Sequence, residues 1–117
     1  MRHKVKKVRI GNDKSHTTAL MKNLAMSVII YEKIKTTSAK ARAVQPLVER
    51  LINYGKGENK REAIRLIMSV IDHENSSRKI LEVLADKYKD KTSGYTRITK
   101  LGYRTGDNAP VVQLELI

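Results

Sequence analysis

Apolar residues recur at helical spacing over most of this chain and at alternating spacing only near its end. Leu20, Met21, Leu24, Ala25 and Val28 fall on one face of a helix running from about His16 to Tyr31, with Lys22 and Asn23 off that face and Ser15 placed to cap its start. Glu32 to Thr36 reads as a short extended piece anchored by Ile34. Thr37 or Ser38 then caps a second helix whose buried stripe is Val44, Leu47, Val48 and Leu51, and Gly55 and Gly57 suit its C-terminus. Pro46 lies inside that pattern. It lacks a backbone N–H and crowds the preceding turn, so a kink or a late helix start is expected. Asn59, with Glu62 three residues on, resembles a capping box for a third helix that buries Ile64, Ile67, Met68 and Ile71. After the polar turn Asp72-His73-Glu74-Asn75, a fourth helix from about Ser76 to Lys89 presents Ile80, Leu81, Leu84 and Tyr88. Lys87 and Lys89 stand in its last turn, where cations oppose the helix dipole.

The closing stretch changes period. Tyr95 to Leu101 and Val111 to Ile117 are rich in strand formers, and the turn-rich segment Gly102 to Ala109 joins them into an antiparallel hairpin. A lone hairpin is marginal in water, so the piece at Ile34 is the natural third strand, with helices covering one face. The expected class is α+β in two layers: one compact domain over residues 15–117, preceded by an extended arm over residues 1–14. No internal repeat or low-complexity tract divides it. At 117 residues, 40% of them hydrophobic, a single core is expected to bury about two thirds of the unfolded surface.

Charge narrows the function. Lys and Arg number 24 against 12 Asp and Glu, a formal +12, which favours polyanions: nucleic acid first, anionic membrane second. The longest apolar stretch, Met26 to Tyr31, is far short of the ~20 residues of a spanning helix. The basic start is not followed by the apolar region of a signal peptide, and it is short and Ser-poor for a transit peptide. With no Cys, disulfides, thiolate metal sites and Cys nucleophiles are excluded, which fits a reducing compartment. Residues 1–56 hold 13 Lys/Arg and 3 Asp/Glu, whereas residues 57–117 hold 11 and 9, so the polyanion-facing surface is expected mainly in the first half. The arm contributes Arg2, Lys4, Lys6, Lys7, Arg9 and Lys14 against the single acid Asp13. Basic arms of this kind order when they meet phosphate.

Catalytic chemistry finds little support. His3, His16 and His73 have no partner at ligand spacing, and adjacent Asp72, His73 and Glu74 point apart on a turn. No phosphate loop follows Gly102 or Gly106, and no motif singles out a nucleophile or a cofactor. His16 has two readings, an RNA contact or an ordinary helix-start residue. The run Thr36-Thr37-Ser38-Ala39-Lys40-Ala41-Arg42 also has two: a phosphate seat of hydroxyls, helix-start amides and cations, or a plain cap with a solvated basic face. Tyr95, Arg97, Lys100, Tyr103 and Arg104 interleave rings and cations as RNA-facing surfaces do; Arg97 and Arg104 are expected to face phosphate and Tyr95 to pack inward.

Several blocks together resemble the bacterial-type large-subunit ribosomal protein L17 family over nearly the whole chain. They are Met1-Arg2-His3-Lys4, Ser15-His16, Asn23-Leu24-Ala25, Ile34-Lys35-Thr36-Thr37 with Lys40-Ala41-Arg42, and Leu51-Ile52 ahead of Lys56. The most specific is Gly94-Tyr95-Thr96-Arg97-Ile98, then Lys100, Gly102, Arg104, Gly106-Asp107-Asn108-Ala109 and Leu114-Glu115-Leu116. Asp13, Thr17, Pro46 and Ser93 depart from the family pattern. The resemblance implies a helix, a strand, three helices and two strands, with a three-stranded mixed sheet. It also implies a monomer bound to 23S-type ribosomal RNA near the outer end of the peptide exit tunnel, beside other large-subunit proteins. The setting is a cytoplasmic ribosome in preference to an organellar one, with no membrane, catalytic residue, metal or cofactor. The residues expected on RNA are Arg2, His3, Lys4, Lys6, Lys7, Arg9, Lys14, His16, Lys22, Thr36, Thr37, Lys40, Arg42, Arg97, Lys100 and Arg104. A DNA-binding helix pair around Asp72 to Asn75 is the alternative, and Glu82 and Asp86 on its second helix suit a groove poorly.

Overall fold

A computed structural model of the chain describes residues 13–117. Helix α1 spans Lys14–Tyr31, so it takes in the last residue expected in the arm. Its cap is Asp13 rather than Ser15: the Asp13 carboxylate accepts the His16 amide at 2.8 Å and sets negative charge against the positive end of the helix. The chain reverses at Glu32, which adopts the left-handed conformation at φ 66°. Such a conformation costs a side-chain-bearing residue on the order of 1 kcal/mol or more. Two backbone bonds hold it there: Glu32 N–H donates to Val28 at 2.8 Å, and the Glu32 carbonyl accepts from Leu116 at 2.8 Å. Strand β1 follows as Lys33–Thr37, one residue later than expected.

Helix α2, Ser38–Gly55, has Thr37 at its cap position, but the Thr37 side chain makes no cap bond. The helix contains Pro46 without starting late. The carbonyl that loses its partner belongs to Arg42, and both residues are exposed, so water can satisfy it. Helix α3, Lys60–Val70, is capped by Asn59, whose side chain accepts the Arg61 and Glu62 amides at 3.1 and 3.4 Å. Its buried line is Ala63 and Ile67, continued by Ile71, while Ile64 and Met68 are exposed. Two apolar lines lie one residue apart on this helix, and the one containing the small Ala63 lets the backbone approach the core.

Helix α4, Glu74–Lys79, starts two residues before the expected Ser76 because His73 caps it, Nδ1 accepting the Ser76 amide at 3.2 Å. The expected continuous helix then widens into a π-helical turn, Ile80–Leu84, before a short helix α5, Ala85–Lys87. Ile80, Leu84 and Tyr88 are buried as expected, and Leu81 is partly so. The π turn meets the end of α2 at Gly55, where an added Cβ would overlap the Cγ2 methyl of Ile80. Ile80 is β-branched and fully buried and has nowhere to swing. Gly55→Ala is therefore expected to destabilise by about 1–3 kcal/mol in denaturant unfolding. Gly106→Ala, with open space at that position, is expected to be near neutral.

Strands β2, Thr96–Tyr103, and β3, Pro110–Leu116, complete a sheet of order β1-β3-β2. Ile34 and Ile98 both pair with Leu114, and both pairings are antiparallel, so the sheet is not mixed. β1 and β2 do run the same way, but β3 stands between them. A slip of register at Leu101 bulges β2. Thr96, Val112, Leu114 and Leu116 are buried against the helices. Thr96 ties sheet to helix, accepting from Gln45 at 2.9 Å and donating to Glu49 at 3.1 Å. Without Phe or Trp, the core uses tyrosines: Tyr88 and Tyr95 are both buried, with ring centroids 5.0 Å apart. The Tyr95 hydroxyl donates to Asn53 at 2.6 Å and accepts from Lys56 at 2.8 Å, and Tyr88 donates to the Ile117 carbonyl at 2.8 Å. Burial, aided by the charge of Glu32, pushes the Tyr88 phenol above its usual range.

Candidate nucleic-acid interface

Side chains alternate across a strand, so packing Ile34, Val112 and Leu114 inward places a second set outward. That set is Lys33 and Lys35 on β1, Gln113 and Glu115 on β3, and Arg97 and Thr99 on β2. The register aligns them in two rows: Lys33, Glu115, Arg97 and then Lys35, Gln113, Thr99. Lys33, Lys35, Arg97 and Thr99 are exposed, and Gln113 and Glu115 are half-buried in the middle strand. Glu115 accepts from Gln113 at 3.2 Å and pairs loosely with Arg97 at 4.0 Å. One carboxylate thus faces three cations on an open, polar platform. Among the described residues, no carboxylate lies within 4.0 Å of Lys33 or Lys35.

Sequence reasoning named Arg97 as a phosphate-facing residue and did not name Lys33 or Lys35, which share this face. The signal was available: in Lys33-Ile34-Lys35, an inward Ile34 requires both lysines to point out.

The remaining expected residues scatter. Arg2, His3, Lys4, Lys6, Lys7 and Arg9 lie outside the described residues. Lys14, His16 and Lys22 are exposed on the first half of α1. Thr36 is half-buried and pairs with Val112 on the helix side of the sheet. Thr37, with half-buried Lys40 and exposed Arg42, stands at the start of α2. Lys100 is exposed, but three residues from Arg97 it falls on the opposite face of β2. Tyr95 packs inward as expected, whereas Tyr103 is exposed.

Arg104 is already engaged. Its Nε and terminal nitrogen donate to the two Asp107 oxygens at 3.0 and 2.5 Å, and Asp107 also accepts the Ala109 amide at 3.2 Å. This fork ties Arg104 into the β2–β3 loop while its side chain stays 54% exposed. The Arg104 bonds, with the Ala109 amide, lower the Asp107 carboxyl from 3.8 to about 2. A depressed carboxyl stabilises above its unfolded value and loses that contribution as pH falls through its folded value. The Ala109 amide resonance is therefore expected to hold steady above pH 4 and to move as pH falls through about 2, a transition that Asp107→Asn removes.

Among the described residues, no group of three or more His, Asp or Glu side chains is placed to hold a metal ion. No helix among them is long and apolar enough to cross a membrane.

A family model described as ribosomal protein L17 matches residues 20–117. The large ribosomal subunit protein bL17 of Hyphomonas neptunium is 39% identical over 117 residues, spanning 100% of this chain and 83% of that protein. The protein of the same name from Neorickettsia sennetsu is 39% identical over 117 residues, with 100% of both chains covered. That from Syntrophotalea carbinolica is 42% identical over 117 residues, covering 100% of this chain and 75% of its own length.

Proposed function

The chain belongs to the ribosomal protein L17 family, a structural constituent of the large ribosomal subunit, and from that premise we propose that it holds ribosomal RNA on three basic surfaces. These are the N-terminal arm, the helix starts of α1 and α2, and the outer face of the sheet. The observation that carries this reading is the outer face itself: β1, distant in sequence, joins the β2–β3 hairpin to set Lys33, Lys35 and Arg97 around a single carboxylate. The sheet fixes the spacing of these exposed cations, and the counterions released when they meet phosphate drive binding.

The arm adds Arg2, Lys4, Lys6, Lys7 and Arg9, whose charges suit a segment threaded between RNA helices that would otherwise repel. At the start of α2, the Thr37 hydroxyl, the helix-start amides, Lys40 and Arg42 form a small seat. The output of this reading is assembly; it assigns no catalytic residue, and turnover by the purified protein would contradict it. A position near the outer end of the exit tunnel, beside other large-subunit proteins in a cytoplasmic ribosome, is supported by the family likeness. Cross-linking to a ribosome-held nascent chain tests that placement.

The primary test is co-sedimentation with large subunits washed in rising salt, paired with binding to isolated large-subunit RNA. If on the order of ten phosphates are neutralised, log affinity falls with log salt at a slope of roughly −7 to −9. A slope near −2, or preference for duplex DNA, would reject the mechanism. Removing residues 1–12 is expected to weaken binding while leaving the helical circular dichroism signal in place.

A further inference from the structure

Between α1 and the start of α4 lies a cleft of about 340 Å³ that none of the surfaces above uses. Asn23, Met26, Ser27 and Ile30 supply one wall, and Tyr31 and His73 border it. We infer that this cleft receives a splayed-out nucleobase of the bound RNA. The inference rests on the RNA-binding reading and adds the chemistry of one contact.

The cleft is apolar where a base is apolar and polar where a base is polar. Met26 and Ile30 offer a greasy surface, and Tyr31, 72% exposed, offers a ring for stacking. The Asn23 amide and Ser27 hydroxyl both donate and accept, as base edges require. The His73 ring is held in place, since its Nδ1 accepts the Ser76 amide at 3.2 Å and lies 2.7 Å from the Ser76 hydroxyl. A ring whose Nδ1 accepts carries its proton on Nε2, which leaves that nitrogen as a donor.

Charge argues against a phosphate in the cleft itself. Tyr31 ends α1, where the helix dipole is negative and Glu32 follows. Lys79, which reaches that end, is committed to the Ile30 carbonyl at 2.9 Å and to Glu32 at 3.4 Å. Exposed Lys22, next to Asn23, lies toward the other end and suits the attached sugar-phosphate. The chain's +12 favours a nucleic-acid occupant over a peptide side chain.

The test compares the full chain with its Tyr31→Ala and Tyr31→Phe variants on large-subunit RNA across a salt series. Tyr31→Ala is expected to lose affinity by roughly 5- to 150-fold with an unchanged salt slope, because stacking releases no counterion. Tyr31→Phe is expected to bind like the parent, and circular dichroism should be the same for all three. If Tyr31→Ala binds as tightly as the parent, the cleft is empty or serves a protein neighbour, and the inference fails while the RNA reading stands. A loss accompanied by a shallower slope marks a phosphate contact and also overturns it. If the parent itself ignores the RNA, both readings fall together.

Discussion

Tyr95→Ala is expected to remove about 3–5 kcal/mol of stability, a large share of the ~5–15 kcal/mol that holds a domain of this size together. Tyr95 heads the largest fully buried side chains, and its ring packs on Tyr88 in a core that has no Phe or Trp to share the volume. Truncation leaves a cavity next to Tyr88. It also strands the groups gathered at the hydroxyl. Asn53 loses its donor, and Lys56, whose ammonium sits 5.0 Å from the ring centroid and bonds the hydroxyl, keeps only the Lys91 carbonyl. Tyr95→Phe retains the ring and loses only this polar junction, for about 1–2 kcal/mol. Denaturant unfolding followed by circular dichroism separates the two. An alanine variant within about 1 kcal/mol of the parent would mean that the core is not organised around this ring.

The second large effect is on binding. Replacing Lys33, Lys35 and Arg97 together with Gln is expected to lower affinity for large-subunit RNA by roughly two orders of magnitude near 0.1 M salt and to flatten the salt slope by about 2 to 3. All three side chains are exposed, so the fold should survive. Glu115→Gln, which removes the one opposing charge on the platform, is expected to tighten binding. Exposed cations in the weakly charged second half provide the control: Arg61, Arg65 and Lys89 exchanged for Gln should change affinity much less. Equal losses from both triple variants would show that net charge matters and the platform does not.

Most of the architecture was legible in the sequence, because strong periodicity leaves few choices. The stripe of α2, the hairpin and the strand at Ile34 all follow from it. What escaped was decided by neighbours. On α3 the lines through Ile64 and Ile67 look alike until the core selects the one with Ala63. The widening at Ile80–Leu84 and the close approach of Ile80 to Gly55 have no local signature in the sequence. The cap of α1 was misplaced where two candidates stood close together, Asp13 over Ser15, and the start of α4 was set late because the capping role of His73 was not anticipated. For the basic surfaces, counting charge pointed to the first half of the chain, and the sheet adds Arg97 from the second. The alternation that separates Arg97 from Lys100 and exposes Lys33 was readable but overlooked, and the Arg104–Asp107 fork needed the loop's actual path.

The strand order has a bearing on biosynthesis. β3 occupies the middle of the sheet, yet it follows both of its neighbours in sequence. While the polypeptide is being made, the lysines of β1 emerge early, but nothing aligns them with Arg97 until the closing strand slides in to pair with both. Such distant pairing is slow to form compared with helix contacts. The outer row of Lys33, Glu115 and Arg97 is therefore aligned only once β3 has been made and has paired with both of its neighbours.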